Sequence, residues 1–101
     1  MKKAIQIHQS DNVATLSADA EISDEVEVLS PQGEIISKMK PKEKIPSGHK
    51  LALTALVKGE KIIKYGEVIG LASRPIDQGD WVHTHNVESD RMFLPEKEIQ
   101  R

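Results

Sequence analysis

The sequence predicts a mainly β, compact domain of short strands joined by tight glycine turns. Three observations predict it. Apolar and polar residues alternate over short stretches, as at Ile5 and Ile7 and again at Val26 and Val28, which is the period of a half-buried strand. Turn chemistry recurs at short intervals, at Asp11-Asn12 and at Ser30-Pro31-Gln32-Gly33,. A seven-residue pattern, aliphatic-x-x-Gly-x-x-aliphatic, occurs at residues 45–51, 56–62 and 76–82. Each of its glycines suits a tight turn of positive φ between two short strands. The spacings are unequal, so the pattern is a recurring turn device and not a solenoid array.

Taken in order, Ile5 and Ile7 mark a first strand. Asp11 suits a cap that accepts from free backbone N–H groups, followed by a short strand or one helical turn over 13–18. Residues 26–39 read as a hairpin closed at Pro31-Gln32-Gly33. Lys38, Lys40, Lys42 and Lys44 alternate around Pro41 in an exposed segment. Residues 51–57 are the most apolar stretch and read as a central strand, although Ala52, Ala55 and Leu56 also fit a helical turn. Residues 68–72 read as a buried strand, with Tyr65-Gly66 as a turn or bulge before it. The expected division is a β domain over 1–88 and a polar tail or linker over 89–101, interrupted by the apolar triplet Met92, Phe93 and Leu94.

The chain has 101 residues, enough for one domain,. Its 14 basic and 16 acidic residues give a net charge of −2, which leaves no nucleic-acid footprint,. There is no cysteine, hence no disulfide framework and no thiolate chemistry,. No apolar run approaches a membrane span, and the N-terminus turns polar too soon for a signal peptide, so a cytoplasmic protein is expected. The serines lie in turn or polar contexts without a nucleophile elbow, and no phosphate-cradling glycine loop is present.

Chemistry concentrates in Trp81-Val82-His83-Thr84-His85-Asn86, which holds two of the four histidines and the only tryptophan. As a strand, it places Trp81, His83 and His85 on one face and Val82, Thr84 and Asn86 on the other. Two imidazoles two apart on one face can share a metal or an anionic ligand. Gly48-His49-Lys50 adds another imidazole beside an ammonium. Each has a plainer role: His49 bonding to local backbone, Tyr65 burying its ring, Trp81 anchoring a core or interface, His8 sitting exposed on a strand.

Four motifs occur in a fixed order: Asp11-Asn12-Val13-Ala14, then Ile45-Pro46-Ser47-Gly48-His49-Lys50-Leu51-Ala52, then Ile63-Lys64-Tyr65-Gly66-Glu67-Val68-Ile69-Gly70, and finally Gly79-Asp80-Trp81-Val82-His83-Thr84-His85-Asn86. Together they closely resemble the small N-terminal SAF-type domain of the altronate dehydratase family, which includes altronate and galactarate dehydratases and sulfolactate sulfo-lyases. The resemblance spans residues 4–88. It implies a β-clip fold beside a much larger catalytic part, fused in some members and a separate subunit in others. It also implies a hydro-lyase subunit, inactive without its large partner, that eliminates water or sulfite from a sugar acid or hydroxy acid. The cofactor implied is Fe2+ or Mn2+, bound mainly by that partner.

In such an elimination a base removes the proton beside the carboxylate, an acid helps the β-hydroxyl leave, and positive groups stabilise the enediolate-like intermediate. The residues expected to serve are His83 and His85 as acid and base or as metal ligands. Lys50 and Lys64 suit the substrate carboxylate. Tyr65 and Asn86 suit a hydroxyl, and His49 a substrate contact. Two readings compete with an altronate-type dehydratase subunit: the small subunit of a sulfolactate sulfo-lyase, and a non-catalytic sugar-acid binding or interaction module. An antifreeze face of the related type is disfavoured by 30% charged residues. Self-association through open strand edges is a further expectation.

Overall fold

Where strands are only two to six residues long, turns rather than ladders satisfy much of the backbone, and this chain shows how. The structure, a computed structural model, describes residues 2–89. In them lie nine strands: β1 (Lys2–Ile5), β2 (Val13–Leu16), β3 (Val26–Leu29), β4 (Ile35–Met39), β5 (Lys50–Ala52), β6 (Lys61–Lys64), β7 (Glu67–Ala72), β8 (Trp81–Val82) and β9 (Val87–Glu88). No helix among the described residues is long and apolar enough to cross a membrane. The six-stranded sheet runs β4-β3-β1-β2-β5-β8 and the three-stranded sheet β6-β7-β9. The β1–β3 pair is parallel and the other pairs are antiparallel.

Two apolar cores result from period-two alternation. Ala14, Leu16 and Leu51 point into the first core with Ala4, Val26, Val28 and Ile45. Their neighbours Val13 and Ala52 point the other way, into the second core with Leu56, Ile62, Ala72, Ile76 and Val82. Strands β2 and β5 therefore stand between the two cores, covered on both faces. Leu16, Ile45, Leu51, Ile62 and Ile76 are fully buried, each a contribution of about 1.5–3 kcal/mol from apolar burial.

The turns share one bonding scheme. The carbonyl of a first residue accepts the N–H of the residue three further on, and the side-chain oxygen of that fourth residue accepts the N–H of the first. His8 and Asp11 do this at 2.9 and 3.0 Å, Glu21 and Asp24 at 3.0 and 2.8 Å, and Val57 and Glu60 at 3.0 and 3.0 Å. Asp77 and Asp80 repeat it at 3.1 and 2.8 Å, and His83 and Asn86 at 3.1 and 2.9 Å. Gly59 and Gly79 sit inside this device with φ of 90° and 91°, and Gly48, at φ 83°, sits in the Pro46–His49 turn that keeps only the backbone bond; all three are the positive-φ turns expected from the pattern. Isolated bridges then tie the turn modules in pairs, Ala20 to Ile45 and Leu56 to Ile76.

Asp11 carries the largest share. Its carboxylate is 5% exposed and accepts three backbone N–H groups, from His8 (3.0 Å), Tyr65 (3.0 Å) and Gly66 (2.8 Å). Next to it, the Asn12 side chain bonds Lys61 O and Ile63 N. The pair thereby joins the two sheets, and Asp11 is the backbone cap its residue type suggested. The tip it holds is a two-residue hairpin turn, Tyr65 at φ 59° and Gly66 at φ 74°, with the His8 ring 3.2 Å from where a Cβ on Gly66 would stand.

Several expectations need correction. Residues 13–18 form no helical turn: β2 is a strand, because β1 and β5 flank it and bury it. Residues 51–57 are not one strand, since β5 ends at Ala52 and the chain turns to Leu56. Strand β7 is not wholly buried: Gly70 and Ala72 face inward, while Val68 and Ile69 are 42% and 43% exposed. Tyr65 does not bury its ring; the positive-φ turn holds it 59% exposed. His8 is exposed but lies in a turn beyond β1. The 26–39 hairpin is present, closed by Ser30, whose hydroxyl accepts the N–H groups of Gln32 and Glu34. Lys38, Lys40, Lys42 and Lys44 are exposed. Met92, Phe93 and Leu94 lie outside the described residues, as does all of the expected tail except Ser89.

Replacing Asp11 by Ala strands three backbone N–H groups at once. The expected loss is on the order of 3 kcal/mol in urea unfolding. Amide exchange at Tyr65 and Gly66 is expected to accelerate in that variant, but not in Asp24→Ala, whose carboxylate bonds its own turn and lies 3.9 Å from Lys2 Nζ without reaching that hairpin tip.

Candidate functional site

Strand β8 is two residues long because the chain turns immediately after it. Asn86 Oδ1 accepts His83 N at 2.9 Å, and Asn86 Nδ2 donates to Trp81 O at 2.8 Å. The residue run 81–86 is therefore a strand end followed by a capped turn, not a continuous strand. Trp81, His83 and His85 are nonetheless gathered, because the turn folds both imidazoles back onto the indole. The His83 ring stacks on it at 5.5 Å and 13°, and the His85 ring lies at 5.5 Å and 60°.

His49 joins them from the turn before β5. Its ring meets Trp81 edge-on at 5.4 Å and His83 at 4.9 Å. The Trp81 indole N–H donates to His49 Nδ1 at 3.2 Å. His49 is available because of Pro46. In the other turns the fourth residue's side chain accepts the N–H of the first, but proline has no N–H. His49 thus keeps only the backbone bond, donating its N–H to Pro46 O at 3.2 Å, and its ring is free for other contacts. Superimposing the three glycine repeats exposes this in the sequence: the residue after the glycine is Glu60, Asp80 or His49, and the odd one follows the only Pro at the first turn position.

Lys50 opens β5 and pairs with Thr15 on one side and Val82 on the other. Burial of its ammonium, and second the charge of Lys64, hold its pKa below the usual lysine value. Lys64 ends β6 and sets its Nζ 5.0 Å over the Tyr65 ring, so Tyr65 is tied to the group through Lys64. The Thr15 hydroxyl, buried and without a hydrogen-bond partner, is a donor next to Lys50 that the sequence reading missed. A cleft of about 300 Å3 is lined by Lys50, His83, Thr84, Ile69, Val87 and Glu88. His83 is half-buried and His85 exposed. Desolvation, then the positive fields of His49, Lys50 and His85, hold the His83 pKa below the ordinary imidazole value.

The structure thus brings His49, Lys50, Lys64, His83 and His85 into one electropositive neighbourhood. Asn86 is 4% exposed and its amide is taken up by the turn, so it holds His83 in place. Among the described residues no group of three or more His, Asp or Glu side chains is placed to hold a metal ion. His83 and His85 alone fall short of the three protein ligands usual for a catalytic site.

A family model, the altronate/galactarate dehydratase SAF domain, matches residues 2–90. The chain belongs to that family. The SAF domain is 33% identical over 90 residues to altronate dehydratase of Bacillus subtilis (strain 168), covering 89% of this chain and 17% of that protein. It is 38% identical over 93 residues to galactarate dehydratase (L-threo-forming) of Escherichia coli (strain K12), covering 91% of this chain and 15% of that protein. It is also 48% identical over 50 residues to the (2R)-sulfolactate sulfo-lyase subunit alpha of Chromohalobacter salexigens, covering 50% of this chain and 53% of that protein. The SAF domain thus spans less than a fifth of the two dehydratases. Its all-strand, two-sheet architecture is the mainly β fold expected from the glycine turns.

Two substitutions test this arrangement. Lys50→Met removes a positive neighbour of His83, so the His83 titration midpoint, read by NMR, is expected to rise toward 6.5. For stability, a lysine pKa lowered on folding means that the unfolded chain binds more protons between the folded value and 10.5. Stability then rises with pH through that window, and at neutral pH the charge is a cost. Lys50→Met is accordingly expected to raise Tm slightly at pH 7. Asn86→Ala leaves His83 N and Trp81 O without their partners; a loss of about 1–3 kcal/mol and disordered His83 and His85 ring signals are expected.

Proposed function

We propose that this SAF domain is the small part of a lyase that eliminates water from a sugar acid, in the manner of altronate dehydratase. The observation that carries the reading is the gathering of three imidazoles around Trp81, with Lys50 and Lys64 nearby, where His83 and Lys50 line an open cleft. Lys50 and Lys64 would neutralise the substrate carboxylate. Neutral His83 would take the proton from the carbon beside it. His85, exposed and next in the turn, would give a proton to the departing hydroxyl. Tyr65 would bond a substrate hydroxyl from the hairpin tip, and Asn86 would act by positioning His83. The Fe2+ or Mn2+ of such an enzyme, whose chemistry is Lewis-acid assistance to the leaving oxygen, would be held by the larger catalytic part, since the described residues offer too few donors. An exposed half-site of this kind suits a subunit that completes its site against a larger partner in the cytoplasm.

A second reading is supported by the 48% identity to a protein named subunit alpha of a sulfo-lyase. There the same residues would serve the loss of sulfite from sulfolactate. In a third, the cleft binds a sugar acid without turning it over.

The test is co-purification with the large catalytic partner, followed by anaerobic assay with ferrous iron on altronate, galactarate and sulfolactate. Turnover is expected only with both chains, with His83→Ala lowering kcat about 10²–10⁴-fold, as for loss of a general base. Sulfite release from sulfolactate alone would select the second reading. Failure on all three acids would overturn both, and metal-free binding of altronate to the chain by itself would then select the third.

A further inference from the structure

His49 is fixed more firmly than an exposed turn histidine needs to be. Its N–H donates to Pro46 O, and its carbonyl accepts Leu16 N at 2.9 Å. Its ring packs edge-on against both Trp81 and His83. The contact that matters chemically is the indole N–H, which can only donate, placed 3.2 Å from Nδ1. A neutral imidazole has one protonated and one unprotonated nitrogen. With Nδ1 accepting, the proton must sit on Nε2.

We propose that Trp81 is a positioning residue that sets the tautomer of His49, so that His49 presents its Nε2–H to an anionic oxygen of the ligand. The same bond makes His49 unsuited to ligate a metal through Nε2. A ligating histidine donates its second ring N–H to an acceptor such as a carboxylate or carbonyl, and here that nitrogen faces a donor. Trp81 thereby divides the labour of the cluster: His49 gives a hydrogen bond, and Lys50 and Lys64 supply charge. The identity of the anion, a substrate carboxylate or an intermediate derived from it, rests on the function proposed above; the tautomer does not.

NMR on the 15N-labelled chain tests the tautomer directly. The expected result is a 15N–15N coupling across the Trp81 Nε1–H to His49 Nδ1 bond, with the His49 proton on Nε2. Trp81→Phe is expected to let the Nδ1–H tautomer appear. A proton on Nδ1, or no coupling, in the unsubstituted chain overturns the proposal even if Trp81→Phe fails to fold. With the large partner added, His49→Ala is expected to raise KM about 10- to 100-fold, the range for a hydrogen bond to a charged group, and Trp81→Phe to raise it less. An unchanged KM in His49→Ala would overturn the donor role while leaving the tautomer standing. A pair that turns over none of the three acids would remove the proposed function, and the coupling would still decide the tautomer.

Discussion

A side-chain oxygen accepting the backbone N–H of the residue three positions earlier is the interaction on which this domain depends. Short strands leave many N–H and C=O groups at their ends, and a buried unpaired one costs as much as a lost hydrogen bond. A helix would satisfy them internally, but nothing in the described chain is helical. Asp11, Asp24, Glu60, Asp80 and Asn86 do this work locally. Each such turn then leads into a strand of two or four residues, so the strand register is set by turns as much as by ladders. Asp11 extends the device over distance by also holding Tyr65 and Gly66.

The same constraint explains where function can be placed. A turn whose fourth residue must accept a hydrogen bond has no side chain to spare. Proline at the first position removes the demand, and the fourth position becomes free; only then can a histidine stand there. The turn after β8 solves the problem differently. Asn86 keeps the capping role, and the two residues that bear imidazoles are its first and third positions. Both arrangements use the fold's own turn as the mount for an imidazole ring, so the rings are held by backbone bonds and not by loop packing alone.

Much of this was legible in residue order. The glycine repeats announced positive-φ turns, and Asp11 announced a cap, because those residue types have few other reasons to occupy such places. The 26–39 hairpin was equally plain, from alternation on both sides of a Pro-containing turn. What escaped was anything decided by which side of a strand meets a neighbour. Val68 and Ile69 are as apolar as buried residues, but nothing in the described chain covers them. Residues 51–57 look like one strand because both cores need apolar residues, and the chain bends between them. The run 81–86 alternates as a strand does, yet Asn86 three residues after His83 marks a turn, the same spacing as Asp11 after His8. Trp81, His83 and His85 were expected together and His49 was expected as a further substrate contact; what residue order did not show is the indole bond to His49, which spans 32 positions of the chain.

The cluster is out of balance by itself. Burial first, and then the charge of Lys64, disfavour the Lys50 ammonium. The same positive fields bear on His83. Glu88 is the one carboxylate among the cleft-lining residues, and it forms no ion pair with Lys50. Folding therefore assembles positive charge that it does not offset, whereas Lys2, Lys3, Lys42 and Lys44 each lie within 4 Å of a carboxylate. Such an arrangement lowers stability without a ligand and is relieved by an anion. A site selected for stability would have exchanged Lys50 for an apolar residue beside Val82. That it holds an ammonium there instead is what the anion-binding role proposed above would require.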